Sequence, residues 1–301
     1  MQHFKSNGKL LLTAEYLVLD GAKALALPTK LGQNLTVEAN DSNHLQWKSY
    51  DETNQLWYED QFFIDKIKIV KHDASNPISE RLLQIFNAVL ELNPNALEKH
   101  KGYSFTTQQD FNRFWGLGTS STLINNMAQW AKIDAYALLE KTFGGSGFDI
   151  ACAQQRSAIL YQRTNTKPLV SVVDFNPFFK NHLYFVYLNK KQNSREGIAK
   201  YKAYKGNLSH SIDAINAITQ SIITCNSLAD FKTLISTHEV IISKVIDQKS
   251  VKDLLFNDFD GAIKSLGAWG GDFILVASDI NPEAYFMSKG YSTVIPYSQF
   301  I

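Results

Sequence analysis

An α+β fold in two domains is the architecture this sequence predicts. Strand-like and helix-like stretches mix without a regular β–α–β rhythm, which argues against a doubly wound parallel sheet. The 301 residues suffice for one large domain or two ordinary ones. A polar stretch, RTNTKP, runs to Lys167-Pro168. The boundary is placed there, giving a first domain over residues 1–166 and a second over 167–301.

The elements follow in order. The opening GKLLLTAEYLVLDGAKALALPT reads as two apolar runs around a turn at Asp20-Gly21. NLTVEA (34–39) and HLQWKSY (44–50) alternate like strands, and 55–70 does so more loosely. From Ser79, the spacing of Leu82, Leu83, Phe86, Val89 and Leu90 predicts a helix. YSFTT (103–107) reads as a strand leading to the glycine turn GLGTSST, then a helix from about 120 and another over 134–143. GGSGFD (144–149) is a second glycine turn, followed by a strand near 158–162. The second half opens with strands at 169–174 and 183–188. Helices are predicted over 207–223, 228–246 and 250–265. GAWGGDFILVAS is a third glycine turn running into a buried strand; a helix near 281–288 and a strand at 292–296 close the chain.

Composition narrows the function classes. A net charge of +1 gives no broad field for nucleic acid or an anionic membrane. No charged start precedes an apolar stretch, and no apolar run spans a bilayer. Cys152 and Cys225 fit no CxxC pattern, which points to a reducing, cytoplasmic setting without nucleic-acid or membrane partners.

The glycine turns carry the chemistry. In Gly116-Leu117-Gly118-Thr119-Ser120-Ser121 the turn opens directly onto a helix. A cap needs one hydroxyl; three in a row behind two glycines suit an anion held at the helix N-terminus. It is not a Walker A loop, and Ser121 stands where a dinucleotide fingerprint needs glycine. His238-Glu239 opens like a zinc-protease motif, but Ile242 occupies the second histidine position. Asp149 is either a turn aspartate or a carboxylate held stiffly at a site. Lys9 either snorkels from a strand end or is the cation beside Asp149. Glu15, within LTAEYLVL, is either on an exposed face or paired inside. Trp269 reads as packing.

Together and in this order, four segments resemble the GHMP kinases, across nearly the whole chain. GKLLLTAEYLVLDG resembles the N-terminal motif, with Lys9 and Glu15 in the family's positions and Tyr16 giving the Glu-Tyr pair of phosphomevalonate kinases. GLGTSST resembles the phosphate loop GLGSSAA, GSGFDIACA the segment of the catalytic aspartate, and GAWGGD the third motif, GAGGGD.

The resemblance implies an N-terminal domain like ribosomal protein S5 domain 2 and a ferredoxin-like C-terminal domain. It implies ATP and Mg²⁺ as cofactors, a small-molecule acceptor, and often a homodimer. Asp149 and Lys9 would be catalytic, and Gly116, Leu117, Gly118, Thr119, Ser120 and Ser121 would hold the phosphates. Ser120 and Glu140 would bind the metal. Glu15, Tyr16, Ser146, Gly147, Ser194, Arg195, Gly267, Gly270, Gly271 and Asp272 would line the acceptor side. For an acidic acceptor, Arg113 and Arg156 are further candidates. The chemistry implied is γ-phosphoryl transfer to mevalonate or phosphomevalonate. A diphosphomevalonate decarboxylase-like enzyme or a non-catalytic nucleotide-binding regulator are the alternatives. Asn7 replaces the usual proline and Trp269 a glycine, departures that bear on the acceptor.

Overall fold

The structure, a computed structural model, describes residues 1–66, 68–71, 76–98, 100–192, 194–203 and 206–301, with backbone only for Ser194, Arg195 and Lys200. Strands β1 (Gln2–Leu11) and β2 (Ala24–Asn40) flank a loop and a 3₁₀ turn at Leu17–Asp20. Then come β3 (His44–Tyr50), β4 (Leu56–Asp65), β5 (Lys68–Val70), α1 (Pro77–Leu92) and β6 (Gly102–Gln109). Helices α2 (Thr119–Ala131), α3 (Ala135–Thr142) and α4 (Phe148–Ala153) precede β7 (Ile159–Gln162), β8 (Leu169–Val172) and β9 (Leu183–Tyr187). The remainder is α5 (Ser194–Ala203), α6 (Ser209–Ile223), α7 (Leu228–Ile246), α8 (Val251–Leu255), β10 (Ala262–Ser265), β11 (Phe273–Ala277), α9 (Glu283–Ser288), β12 (Val294–Pro296) and α10 (Tyr297–Phe300).

Two compact units interleave along the chain: Met1–Gly8, Leu31–Arg113 and Gly118–Gln154 form the first, and Lys9–Lys30, Phe114–Leu117 and Gln155–Ile301 the second. In the first unit the strands run in the order β5-β4-β3-β6-β2, with β1 also on β2. Only the β3–β6 pairing among β2 to β6 is parallel. Strand β3 shows why the sheet is half buried: Leu45, Trp47 and Ser49 face inward while Gln46 and Lys48 are exposed, the period of two expected of one covered face. Helix α1 is set by Pro77 at its start and by Asn76, whose side chain accepts from the Ile78 N–H. Its Leu82, Ile85, Phe86 and Val89 join Trp47, Phe62, Phe105 and Trp130 in the core. Phe105 is the centre of an aromatic cluster, 4.9 Å from Trp130, 5.2 Å from Phe86 and 5.6 Å from Trp47 between ring centroids.

In the second unit β7 lies between the start of β2 and β8. A separate antiparallel sheet has the order β10-β11-β9-β12. Taken with the helices between β9 and β10 and with α9 between β11 and β12, this is the β–α–β–β–α–β topology expected of a ferredoxin-like domain. All of β11 is buried. No helix among the described residues is long and apolar enough to cross a membrane, and both cysteines are free.

Two expectations need correcting. Residues 250–265 form no single helix: α8 stops at Leu255, and β10 pairs with β11, Ala262 opposite Ala277. Gly261 breaks the helix spacing, and a Cβ there would meet the Phe259 ring. Helix α5 was not anticipated, because its sequence has almost no apolar face. Glu15 lies in the loop after β1, which ends at Leu11, at a turn over residues 15–16.

Replacing Phe105 with alanine is expected to destabilise the protein by about 3–5 kcal/mol. Equilibrium denaturation measures this; a loss below about 1 kcal/mol would mean the cluster repacks around the hole.

Candidate active site

The first glycine turn is built as an open helix start. Gly116 (φ 69°) and Gly118 (φ 88°) take left-handed backbone angles that a side chain disfavours. Gly118 is the N-cap of α2, and no side chain caps the helix. The four hydroxyls at 119–122 divide the work. Ser121 Oγ turns back and donates to Gly118 O at 2.8 Å. Thr122 Oγ1 lies 2.8 Å from Gln33 Oε1 and 3.1 Å from Gly118 O. Ser120 is exposed in the first turn. Thr119 Oγ1 accepts from Gln109 Nε2 at 3.1 Å. Uncapped N–H groups and the helix dipole make this end favourable for an anion.

Helix α2 is anchored by polar residues that sequence reasoning passed over. Asn126 accepts from Ser6 Oγ at 2.7 Å and donates to Gln33 O at 2.9 Å; Asn125 donates to Ser6 Oγ at 2.8 Å. All four side chains are buried. Two adjacent asparagines inside an apolar helix pattern were the available signal, since buried amides need fixed partners.

The second glycine turn, in the same unit, has Gly144, Gly145 and Gly147 at positive φ. Gly147 is the N-cap of α4, whose first turn carries Asp149, half buried between the buried Phe148 and Ile150. Ser146 precedes it, half buried. Glu140 is exposed on α3. Among the described residues no group of three or more His, Cys, Asp and Glu side chains is arranged to hold a metal ion.

The second unit holds Lys9, Gly116, Leu117 and the third glycine turn. The Lys9 N–H donates to Leu117 O at 3.0 Å, and its Nζ donates to Gly116 O at 3.1 Å. In the third turn Gly267 and Gly270 have positive φ, as do Trp269 (54°) and Asp272 (53°). The Asp272 carboxyl accepts from the Gln192 N–H at 3.1 Å and lies so close to Gly116 that a Cβ there would overlap it. Burial raises the Asp272 pKa, while the Gln192 N–H, Lys9 and Lys191 oppose the rise. Gly271 packs against the Lys190 carbonyl.

Glu15 is paired inside. It, Lys264 and His238 have no exposed side-chain surface, and Lys264 Nζ is bonded to the Glu15 carboxylate. Lys264 also donates to Ser265 O at 2.9 Å and lies 3.4 Å from Glu239 Oε1. Burial drives the Glu15 carboxyl up to about 7 against the pull of Lys264, and raises Glu239 as well. His238 is held well below 6.5 by burial and by Lys264. Its Nε2 accepts the Ala14 N–H at 2.9 Å. The Tyr16 hydroxyl donates to Ala268 O at 2.8 Å. Tyr16 thus holds the third turn directly, while Glu15 holds Lys264, three residues before it.

The side chains of Ser194 and Arg195 lie outside the described residues. Arg113 stacks over Trp57, 4.6 Å from the ring centre. Arg156 lines a cavity of about 460 Å³ with Lys30, Lys180 and Asp174, which none of the glycine turns borders.

No protein-family model and no curated protein sequence matches the chain. Solved structures do match it, at low identity. A protein from Listeria innocua superposes with a TM-score of 0.73 at 16% identity, over 99% of this chain and 97% of that one. The mevalonate kinase of Methanococcus jannaschii gives 0.70 at 16%, over 96% and 94%. The phosphomevalonate kinase of Streptococcus pneumoniae, solved with phosphomevalonate and AMPPNP, gives 0.70 at 16%, over 97% and 98%. The chain thus has the two-domain α+β fold of these kinases.

The buried carboxyl makes a pH prediction. The folded pKa of Glu15, about 7, exceeds its unfolded value of 4.5. Its stabilising proton is fully present below pH 4.5 and is lost as the pH rises through 7, a change on the order of 3 kcal/mol. In Glu15→Gln this component disappears. The melting-temperature difference, wild type minus variant, is expected to fall between pH 5 and 8; parallel pH curves would show that the proton sits elsewhere.

Proposed function

We propose that this chain is an ATP- and Mg²⁺-dependent small-molecule kinase of the GHMP type, moving a γ-phosphoryl group to a hydroxyl or phosphate acceptor. The observation that carries this is the uncapped start of α2 behind Gly116 and Gly118, with two hydroxyls folded inward and Ser120 left outward. Such a start cradles phosphate oxygens on backbone N–H groups that need little reorganisation. The exposed Ser120 hydroxyl fits a hard divalent cation, and Glu140 is the carboxylate on offer from α3. When bound, Mg²⁺ neutralises charge on the transferring phosphates.

The chain's own groups supply the rest. Asp149, fixed in the first turn of α4, orients the acceptor hydroxyl and takes its proton as attack proceeds. Lys9 is assigned as the catalytic cation, stabilising the oxygen that loses its proton. We assign residues 1–166 to nucleotide binding and 167–301 to the second domain. Mevalonate and phosphomevalonate are the first acceptors to try, supported by the Glu15-Tyr16 pair and by the fold shared with kinases of those names.

Purified protein with ATP and Mg²⁺ is expected to release ADP with one acceptor from a panel of mevalonate, phosphomevalonate, diphosphomevalonate, homoserine and sugars. Carbon dioxide release would mark the decarboxylase alternative. Asp149→Asn is expected to lower kcat by about 10²–10⁴-fold while ATP binding persists. Unchanged turnover in that variant would overturn the mechanism.

A further inference from the structure

In two short turns of the second unit four non-glycine residues have positive φ: Ala14 (67°) and Tyr16 (63°), then Trp269 (54°) and Asp272 (53°). Such angles persist only where surrounding structure over-determines them. Both turns are tied to one buried ammonium group. Lys264 bonds Glu15 of the first turn, lies near Glu239 on α7, and donates to Ser265 O, two residues before the third glycine turn begins. Glu239 Oε2 accepts from the Ser265 N–H (3.0 Å) and hydroxyl (2.8 Å). His238, next to it, holds Ala14, and Tyr16 holds Ala268.

The far end of the third turn touches the phosphate loop. The Leu266 N–H donates to Phe273 O at 3.2 Å and closes the turn. The Asp272 carboxyl sits against Gly116. Next to them, Trp115 packs edge-on to Phe273, 5.4 Å between centroids. Ser265 and Gly116 are thus linked through a single turn, residues 266–272.

We propose that Lys264 is a positioning residue for the phosphate loop, acting through the third glycine turn and Asp272, with Glu15, Glu239 and His238 as its holders. This rests on the kinase reading above. It extends that reading to a cluster of four buried side chains.

The charge count makes the device sensitive to pH. The groups facing Glu15 are Lys264 from β10, His238 and Glu239 from α7, and Tyr16 from its own turn. His238 is neutral, since its Nε2 accepts the Ala14 N–H. One ammonium then faces two carboxyls, and the cluster is neutral only while one carboxyl keeps its proton. Burial raises both carboxyls, Glu15 to about 7, so the pair shares one proton up to about that pH. Above that, a second carboxylate competes for Lys264, and the bond to Ser265 O is weakened. A support made of packing alone would have no such dependence.

The test measures the dissociation constant of Mg-ATP by calorimetry from pH 6 to 8.5. It uses wild type, Glu15→Gln, Lys264→Met and, as a control for lost stability, Phe105→Ala. The ratio of wild-type to Glu15→Gln constants is expected to rise at least fivefold across that range. Lys264→Met is expected to bind at least tenfold more weakly at every pH, and Phe105→Ala within twofold of wild type. A constant ratio for Glu15→Gln overturns the proposal, whether or not Lys264→Met folds. So does wild-type affinity in a folded Lys264→Met. Wild type that binds no Mg-ATP at any pH overturns the kinase reading itself, a result distinct from binding with identical pH profiles.

Discussion

Lys264 places an ammonium group where water does not reach, and it stays there only because three oxygens meet it. Removing one partner of a buried pair costs about 3–5 kcal/mol, a large part of the 5–15 kcal/mol or so that holds a domain folded. The partners come from distant parts of the chain: Glu15 from the turn after β1, Glu239 from α7, and Ser265 from β10 itself. Each of these elements is thereby held to the others at one depth and one register. Apolar contact alone, being non-directional, would allow them to slide.

The strained residues follow from that constraint. A non-glycine residue at positive φ costs about 1–3 kcal/mol, and Ala14, Tyr16, Trp269 and Asp272 all adopt it. They lie where the paired charges and the Tyr16–Ala268 hydrogen bond determine the path of the chain. Glycine appears where a side chain could not fit: at Gly116 beneath the Asp272 carboxyl, and at Gly197 against the Tyr16 hydroxyl. Trp269 shows the opposite choice. It accepts the strain and fills buried space with the largest side chain available.

The hydroxyl run at 119–122 works by division of labour. Ser121 and Thr122 satisfy carbonyls of the loop, Thr119 accepts from Gln109, and Ser120 remains at the surface. The helix behind them is held to β1 and β2 through its own buried amides, Asn125 and Asn126, which meet the Ser6 hydroxyl and the Gln33 carbonyl. Such a backing fixes the helix start, and N–H groups stabilise charge well only when they do not have to reorganise.

The sequence by itself determined the α+β class, the three glycine turns, the helix following the first, and the buried strand following the third; the short helix α4 after the second turn was not among its expectations. These are local properties: periodicity, glycine at positive φ, and hydroxyls at a helix start act within a few residues. It left Glu15 with two readings, placed Lys264 within a helix, and gave no sign of α5. Tertiary structure decided those. Whether a carboxylate is exposed or paired depends on what arrives from 249 residues further along the chain. Whether AIKS is helix or strand depends on β11 lying beside it. Short segments have no strong preference of their own, and long-range pairing in a water-free interior sets both their conformation and their charge.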